Sequence, residues 1–277
     1  MPIWLEVNKC SMSARLCLWY NQQDMKTIIH ALDFDGVLCD SAVETGITGW
    51  KAATGIWNDM SSPLPPQNLV DRFRLVRPII ETGYESILTM RLLFHGESAE
   101  AILVGFADQK EALLQESKQS IDDLKQLFGE TRDQWIQDAP DDWIRMNPLF
   151  PGIAQKLRML ASEENWYIVT TKQERFVAKI LAANDIQLPN RRIFGLDRNM
   201  SKQEVLLDLL HRHPDAPIYF VEDRLPTLLN ILNNDALQDI RLFFADWGYN
   251  TEQDRREAAR HSIEIIDIDH FLDDGAE

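Results

Sequence analysis

The sequence predicts an α/β protein, a Rossmann-like doubly wound parallel sheet with an all-helical segment inserted after its first strand. Two observations predict this class. Short apolar runs end at polar residues, and helical segments separate these runs in the second half of the chain. Between the first run and the second, a long stretch shows helical periodicity instead. With 45% hydrophobic residues among 277, the chain can bury a core.

The predicted strands are short apolar runs, and the first, Thr27–Leu32, stops at Asp33 as a buried parallel strand would. A comparable run does not occur until Trp166–Val169. From there strands and helices alternate, with strands at Arg192–Phe194, Ile218–Val221 and Arg241–Ala245 and helices at Ser201–Leu210 and Thr227–Leu232. The ligand of such a sheet lies beyond the carboxyl ends of its strands.

The predicted helical cap covers residues 43–146, where apolar residues recur at helical spacing and Ser61–Pro66 separates two helices. Residues 25–42 and 147–277 then form the α/β core. Residues 1–24 precede the first regular pattern and are interpreted as an N-terminal extension, either disordered, an upstream start or foreign to the natural chain. An amphipathic helix is the alternative for this extension.

The bulk composition excludes several function classes. A net charge of -16 argues against sequence-independent binding to nucleic acid or to an anionic membrane, which needs a basic surface. No apolar run reaches the ~20 residues of a membrane span. Three scattered cysteines suit neither a disulfide framework nor a zinc site, and idle thiols are typical of a reducing cytoplasm. We therefore expect a cytoplasmic enzyme.

The end of the first strand carries two carboxylates, Asp33 and Asp35, before Gly36. A carboxylate can attack phosphorus and form an aspartyl-phosphate. A second carboxyl two residues on can protonate a leaving alcohol and then deprotonate water. Alone, this motif also suits a loop or a calcium site.

Two further strand ends carry groups that suit a phosphate. Thr170 and Thr171 follow the second strand, and Thr171-Lys172-Gln173-Glu174 has the form of a capping box at a helix N-terminus, which favours an anion. Ser201-Lys202-Gln203-Glu204 is a second such box, and it places Lys202 in a first helical turn, where the helix dipole disfavours a cation. A nearby anion would explain that lysine, although a capped helix and a surface lysine are the structural alternatives.

The fourth strand ends in adjacent acids, Glu222 and Asp223. Their mutual repulsion is offset if a hard cation such as Mg²⁺ lies between them and Asp33. Four strand ends in this order indicate a phosphoryl-transfer site.

These motifs resemble the haloacid dehalogenase superfamily, in particular its phosphatases with a helical cap after the first strand. The resemblance covers roughly Lys26–Asp40 and Leu149–Asn250. Its most specific pieces are Asp33-Phe34-Asp35-Gly36-Val37, Ile168–Lys172, Lys202 and Val221-Glu222-Asp223, and Trp247-Gly248-Tyr249 resembles the phosphoglycolate-phosphatase-like branch. It implies Asp33 as nucleophile and metal ligand, Asp35 as acid/base with its carbonyl on the metal, and Thr170, assisted by the Thr171 amide, as phosphate ligands. Lys202 would neutralise developing charge, and Asp223 would complete the Mg²⁺ site.

The fourth motif departs from the family pattern. Glu222 replaces the usual glycine, and Thr227 stands where a second acid is usual. Glu222 then either supplies the second outer-sphere carboxylate or leaves the metal site weaker.

The resemblance implies a Mg²⁺-dependent phosphatase of a small phosphorylated metabolite. The alternatives are a phosphomutase of the β-phosphoglucomutase type and a non-catalytic binding module of the same fold. Such caps select the substrate, so we predict substrate contacts from Arg77, beside the helix break at Pro78, and from Tyr84 and Arg91. A solvated basic helix face is the alternative for each arginine.

Overall fold

The computed structural model describes residues 27–163 and 165–273. The predicted extension, residues 1–24, lies outside them. Within this part of the chain, six strands form one parallel sheet in the order β3-β2-β1-β4-β5-β6. The strands are β1 (Ile29–Leu32), β2 (Trp166–Val169), β3 (Ile193–Phe194), β4 (Ile218–Glu222), β5 (Ile240–Ala245) and β6 (Glu264–Ile266).

In the described residues, seven helices lie between β1 and β2, and five more follow β2. The first group is α1 (Ala42–Thr54), α2 (Gln67–Val76), α3 (Glu85–Phe94), α4 (Ala99–Ser117), α5 (Ile121–Asp138), α6 (Pro140–Arg145) and α7 (Ile153–Glu163). The second group is α8 (Glu174–Ala183), α9 (Lys202–Arg212), α10 (Leu225–Leu232), α11 (Glu252–Ala258) and α12 (Ile268–Asp273). In the regions the structure describes, no helix is both long and apolar enough to cross a bilayer.

The sheet is covered on both faces, which confirms the predicted doubly wound α/β class. Successive strand residues point to opposite faces. In β2, Trp166 and Ile168 join one apolar core, and Tyr167 and Val169 join the other. A third core lies within the cap and unites α1 to α5 around side chains such as Phe73.

The end of the cap sequence packs against the sheet. Trp135 of α5 and Trp143 of α6 belong to the same core as Trp166, so the last cap helices share their apolar contacts with the α/β part. Glu44 of α1 and Arg132 of α5 form a buried bidentate ion pair, with atom separations of 2.8 and 2.6 Å. This pair holds the two ends of the cap together where they meet the sheet.

Most predicted elements are present with small changes in length. Ser201 caps α9 with the predicted reciprocal box, in which Ser201 and Glu204 each accept from the other's backbone amide. The predicted capping box at Thr171 is wrong. Helix α8 begins at Glu174, and its N-cap residue, Gln173, forms no capping hydrogen bond through its side chain. The carboxylate of Glu174 instead accepts from Gly195 N at 3.0 Å.

Candidate active site

The first strand delivers its two carboxylates to the middle of the sheet edge. β1 lies between β2 and β4, and the Asp33 amide donates to the Val221 carbonyl at 3.0 Å, which extends the ladder to the strand end. Gly36 then turns the chain with φ +95°, and a Cβ at this position would collide with the Asp223 carboxylate. The tight turn is therefore what lets Asp33 and Asp223 approach each other.

Lys202 joins the first and fourth strand ends. Its Nζ lies 2.7 Å from Asp33 Oδ1 and 2.6 Å from Glu222 Oε2. Burial alone would lower the pKa of Lys202, but the Asp33 and Glu222 carboxylates outweigh burial and raise it. The ammonium thus stays charged beside the predicted nucleophile, as its position in the first turn of α9 suggested.

Three buried carboxylates, from Asp33, Glu222 and Asp223, converge beside this lysine. One oxygen from each lies within 4.8 Å of the others. Glu222 Oε1 already accepts from Arg224 N at 3.0 Å, and Asp223 Oδ2 accepts from Tyr249 N at 2.5 Å. Asp223 Oδ1 is buried and has no hydrogen-bond partner among the described residues.

This donor set fits a hard divalent cation. Mg²⁺ prefers carboxylate and carbonyl oxygens, and an orphaned buried carboxylate oxygen is costly without a cation. Asp33 and Asp223 would be its carboxylate ligands. Glu222 differs from them because Lys202 and Arg224 N hold its two oxygens, so its main contact is with the lysine.

The pKa values of Asp33 and Asp223 reflect the burial of these carboxylates close to one another and to Glu222. Burial, reinforced by the charge of Glu222, raises the pKa of Asp33 to about 7 in spite of Lys202. Burial and the same neighbour raise the pKa of Asp223 well above its ordinary value. A bound cation would favour the ionised form of both groups.

Asp35 has a different environment from Asp33. Its Oδ1 lies 3.0 Å from Nζ of Lys172, whose side chain is fully buried. Burial alone would raise the pKa of Asp35, but Lys172 and then Arg77 outweigh it and lower the pKa to about 2. Nothing local to residue 172 indicates a partner at residue 35, so the sequence predicts Lys172 only as part of the second motif.

The two threonines after β2 face different surroundings. Thr170 is buried at the cavity wall, and its hydroxyl accepts from Lys172 N at 3.1 Å. The hydroxyl of Thr171 donates to the Glu81 carbonyl at 2.9 Å, and therefore ties the sheet edge to the cap. Its backbone amide stays the predicted phosphate ligand.

A cavity of about 240 Å³ opens over these groups. Asp33, Asp35, Thr170, Lys202 and Asp223 line it from the sheet side. Arg77 and Glu81 line it from the cap. The predicted catalytic, phosphate-binding and metal-binding residues are thus brought together at one cavity, apart from Glu222, which lies beneath Lys202.

The three predicted cap residues lie in different places. The guanidinium of Arg77 stacks 4.2 Å from the centre of the Tyr249 ring, and its buried Nε has no hydrogen-bond partner in the part of the chain described. Tyr84 lines a neighbouring cavity of about 40 Å³ that also includes Asp35. The structure does not bring Arg91 to either cavity, because its guanidinium lies 2.6 Å from Asp59 on another side of the cap.

Two cavity residues, Tyr249 and Arg224, are not predicted as site residues by the sequence. Tyr249 was noted only for its resemblance to a family motif, yet its amide holds Asp223 and its ring supports Arg77. Arg224 follows the fourth motif directly, and lies 3.7 Å from the Glu81 carboxylate across the cavity. The sequence feature that could have indicated Arg224 is its position directly after the paired acids Glu222 and Asp223.

No family model matches the sequence, and no curated protein matches it either. Solved structures do match. They include a protein from Haemophilus somnus described as a predicted phosphoglycolate phosphatase (15% identity, 88% of this chain and 95% of that one, TM-score 0.53). A hydrolase from Pseudomonas syringae matches with 14% identity, 91% and 100% coverage and a TM-score of 0.51. A Bacteroides fragilis protein assigned to the haloacid dehalogenase-like hydrolases matches with 19% identity, 88% and 97% coverage and a TM-score of 0.50.

Proposed function

Because the chain has the fold of the haloacid dehalogenase-like hydrolases, we propose that it is a Mg²⁺-dependent phosphatase of a small phosphorylated metabolite. The observation that carries the proposal is the contact of Lys202 Nζ with Asp33 Oδ1 at 2.7 Å, at a cavity that Asp35, Thr170 and Asp223 also line. The groups proposed as nucleophile, acid/base, phosphate ligand and cation ligands thus line one cavity. This combination suits phosphoryl transfer better than it suits simple binding.

The first step transfers the phosphoryl group to Asp33. A carboxylate oxygen of Asp33 forms a bond to phosphorus while the bond from phosphorus to the leaving oxygen breaks. Lys172 and Arg77 keep Asp35 ionised in the free protein, so its carboxylate takes the proton of a phosphate monoester monoanion and passes it to that leaving oxygen, and an alcohol departs. Lys202 and the Thr170 hydroxyl stabilise the negative charge on the phosphoryl oxygens.

The second step returns the nucleophile. A water molecule attacks phosphorus and loses a proton to Asp35, and the bond between phosphorus and the Asp33 oxygen breaks. Inorganic phosphate leaves, and Asp33 is again a carboxylate. When bound by Asp33, Asp223 and the Asp35 carbonyl, Mg²⁺ would neutralise charge on the phosphoryl oxygens and on the carboxylates.

Arg77 is the cap residue that we expect to contact the substrate. It is 6% exposed, it lines the cavity, and its Nε is one of the buried donors without a partner in the described residues. Stacking on Tyr249 holds the guanidinium plane in place, which reduces the entropy lost when an anion binds. Tyr84, the second cap contact predicted from sequence, lines the smaller cavity together with Asp35, the residue that we expect to face the leaving group.

Phosphate release from a panel of phosphate monoesters, measured with and without Mg²⁺, tests the proposal. We expect Mg²⁺-dependent turnover that Asp33→Asn lowers by at least about 1,000-fold, since that variant lacks the nucleophile. Retained turnover in Asp33→Asn would contradict the assigned nucleophile. No turnover on any ester, with no detectable Mg²⁺ binding, would favour the binding module. Isomerisation of a sugar phosphate without phosphate release would favour the mutase.

A further inference from the structure

We propose that Lys172 is a positioning residue that orients the Asp35 carboxyl toward the leaving-group oxygen. Lys172 would act on the first chemical step through Asp35 and without touching the phosphoryl group. The inference rests on the proposed function, because it assigns a role within the same reaction.

The ion pair itself is the first support. Lys172 Nζ lies 3.0 Å from Asp35 Oδ1, and the lysine side chain is 0% exposed while that of Asp35 is 16% exposed. An ammonium withdrawn from water is costly unless it is paired and hydrogen-bonded, so Lys172 holds its partner in a narrow range of positions. With Oδ1 held in this way, we infer that Oδ2 serves the leaving group.

The backbone of Lys172 is held on both sides. Its amide donates to the Thr170 hydroxyl at 3.1 Å, and its carbonyl accepts from Leu196 N at 3.1 Å. Gly195 permits this approach, because a Cβ there would lie 2.5 Å from the Lys172 carbonyl oxygen. The turn that presents Thr170 to the phosphoryl group therefore also fixes the origin of the Lys172 side chain.

Comparison with Lys202 separates the two lysines by role. The Lys202 side chain is 15% exposed and lines the 240 Å³ cavity with Asp33. Lys172 has no exposed side-chain surface and is absent from the lining of that cavity, and it lies instead at the neighbouring cavity of about 40 Å³ beside Asp35. A charge that stabilises the phosphoryl oxygens must reach them, so Lys202 suits this task and Lys172 suits the support of Asp35.

Two carboxylates, those of Asp35 and Glu44, interact with the charge of Lys172. Glu44 is already held by Arg132 at 2.6 Å, so it does not compete with Asp35 for the lysine at hydrogen-bond distance. The carboxylate free to align with Lys172 is therefore that of Asp35.

The test measures release of the leaving group in the first turnover, at saturating substrate, from an alkyl phosphate and from 4-nitrophenyl phosphate. An alkoxide needs a proton from Asp35 to depart, whereas nitrophenolate departs without one. We expect Lys172→Met to slow alcohol release by about 100-fold, the lower part of the range for a general acid, and nitrophenolate release by less than about threefold. KM should change by less than about twofold.

The second arm asks whether Lys172 acts through Asp35. Asp35→Asn should show the same difference between the two esters, and the double variant should release alcohol no more slowly than Asp35→Asn alone. Lys156→Met is the matched control, because Lys156 is also buried, at 4% exposure, but lies beside Phe271 of α12. It should leave both rates unchanged. Lys172→Gln, which keeps a donor, replaces Lys172→Met if the latter fails to fold, and should lose less of the alcohol rate.

Three outcomes would overturn the inference. An equal loss of the release rate on both esters would mean that Lys172 acts on the phosphoryl group or only stabilises the fold. Additive losses of the rate in the double variant would mean the same. A raised KM with an unchanged rate would make it a substrate ligand. These results require an active wild type, and inactivity of the wild type on every ester would instead overturn the proposed function and this inference with it.

Discussion

Asp33, Glu222 and Asp223 bring three acidic side chains to one buried point with a single lysine between two of them. Without a cation, burial is the main cause of the raised pKa values of Asp33 and Asp223, and the repulsion between the carboxylates adds to it. The same crowding makes these carboxylates good ligands, because a divalent ion removes the repulsion when it binds. The repulsion that destabilises the metal-free protein is therefore relieved by metal binding, which increases the affinity for the metal.

A pH dependence of the free energy of unfolding follows from Asp33. Its pKa rises from 3.8 to about 7 on folding, so between these pH values the folded chain binds a proton that the unfolded chain has released. The stabilisation is complete below about pH 4 and is lost as the pH rises through 7. Asp223 acts in the same direction.

Thermal unfolding in chelator at pH 5 and pH 7.5 measures this dependence. The wild type should lose more stability between the two pH values than Asp33→Asn does, because the variant lacks the titrating group. Mg²⁺ should raise the melting temperature more at pH 7.5 than at pH 5. A wild type and variant with the same pH dependence would contradict the assignment. The lowered pKa of Asp35 acts only below pH 4, and so does not interfere.

At the scale of elements, the turn after β1 decides whether the first and fourth strand ends can meet. Gly36 adopts φ +95°, and the Asp223 carboxylate and the Tyr249 ring occupy the space that a Cβ would need. A side chain there must move the two strand ends apart, so the geometry of the cation site depends on a residue that offers it no ligand.

Gly36→Ala should therefore lower Mg²⁺-dependent turnover by about 100-fold or more and weaken Mg²⁺ binding, since displacement of a metal ligand by about 1 Å is sufficient for losses of this size. The matched control is Gly96→Ala. Gly96 has nearly the same φ, +91°, but nothing lies within 4 Å of a Cβ built there. The Gly96→Ala variant should have a similar backbone strain and keep its turnover. Equal losses of turnover in the two variants would contradict the steric explanation.

The elements that the sequence predicts well are those whose signal is local. The apolar run before Asp33 and the Ser201 box before Lys202 are contiguous, and both have their expected positions. Lys172 depends on a partner 137 residues away, so no local pattern reveals its ion pair. β6 is only three residues long, and its apolar pair Ile265-Ile266 between Glu264 and Asp267 is shorter than the apolar runs that predict most of the other strands. Arg77 and Arg91 look alike in sequence, and only packing separates a cavity residue from a remote ion pair.

At the scale of the whole molecule, the Glu44–Arg132 pair joins the first cap helix to the fifth. Glu44 is fully buried, and it also accepts from the Thr48 hydroxyl at 2.6 Å and from the Trp143 indole at 3.1 Å. One carboxylate thus connects α1, α5 and α6 at the base of the cap. Removal of its charge leaves the Arg132 guanidinium buried without a counterion.

Glu44→Gln should lower the free energy of unfolding by about 3 kcal/mol or more, as expected for one broken partner of a buried ion pair. Urea unfolding measures the change. Glu252→Gln is the control, because Glu252 forms an exposed pair with Arg256 at 3.1 Å, and it should cost less than about 1 kcal/mol. Similar costs for both substitutions would show that the buried pair contributes no more than a surface one.

The central place of β1 has a consequence for synthesis. Its residues pair with residues 166–168 on one side and 218–221 on the other, so both neighbours are translated long after it. At ~5–20 residues per second, β1 waits roughly 10 to 40 s on the ribosome before β4 exists. The cap helices contact one another within a contiguous stretch and can fold during that interval. An apolar strand thus stays unpaired beside a finished cap, and substitutions that slow cap folding will reduce the yield of folded protein even where catalysis is unaffected.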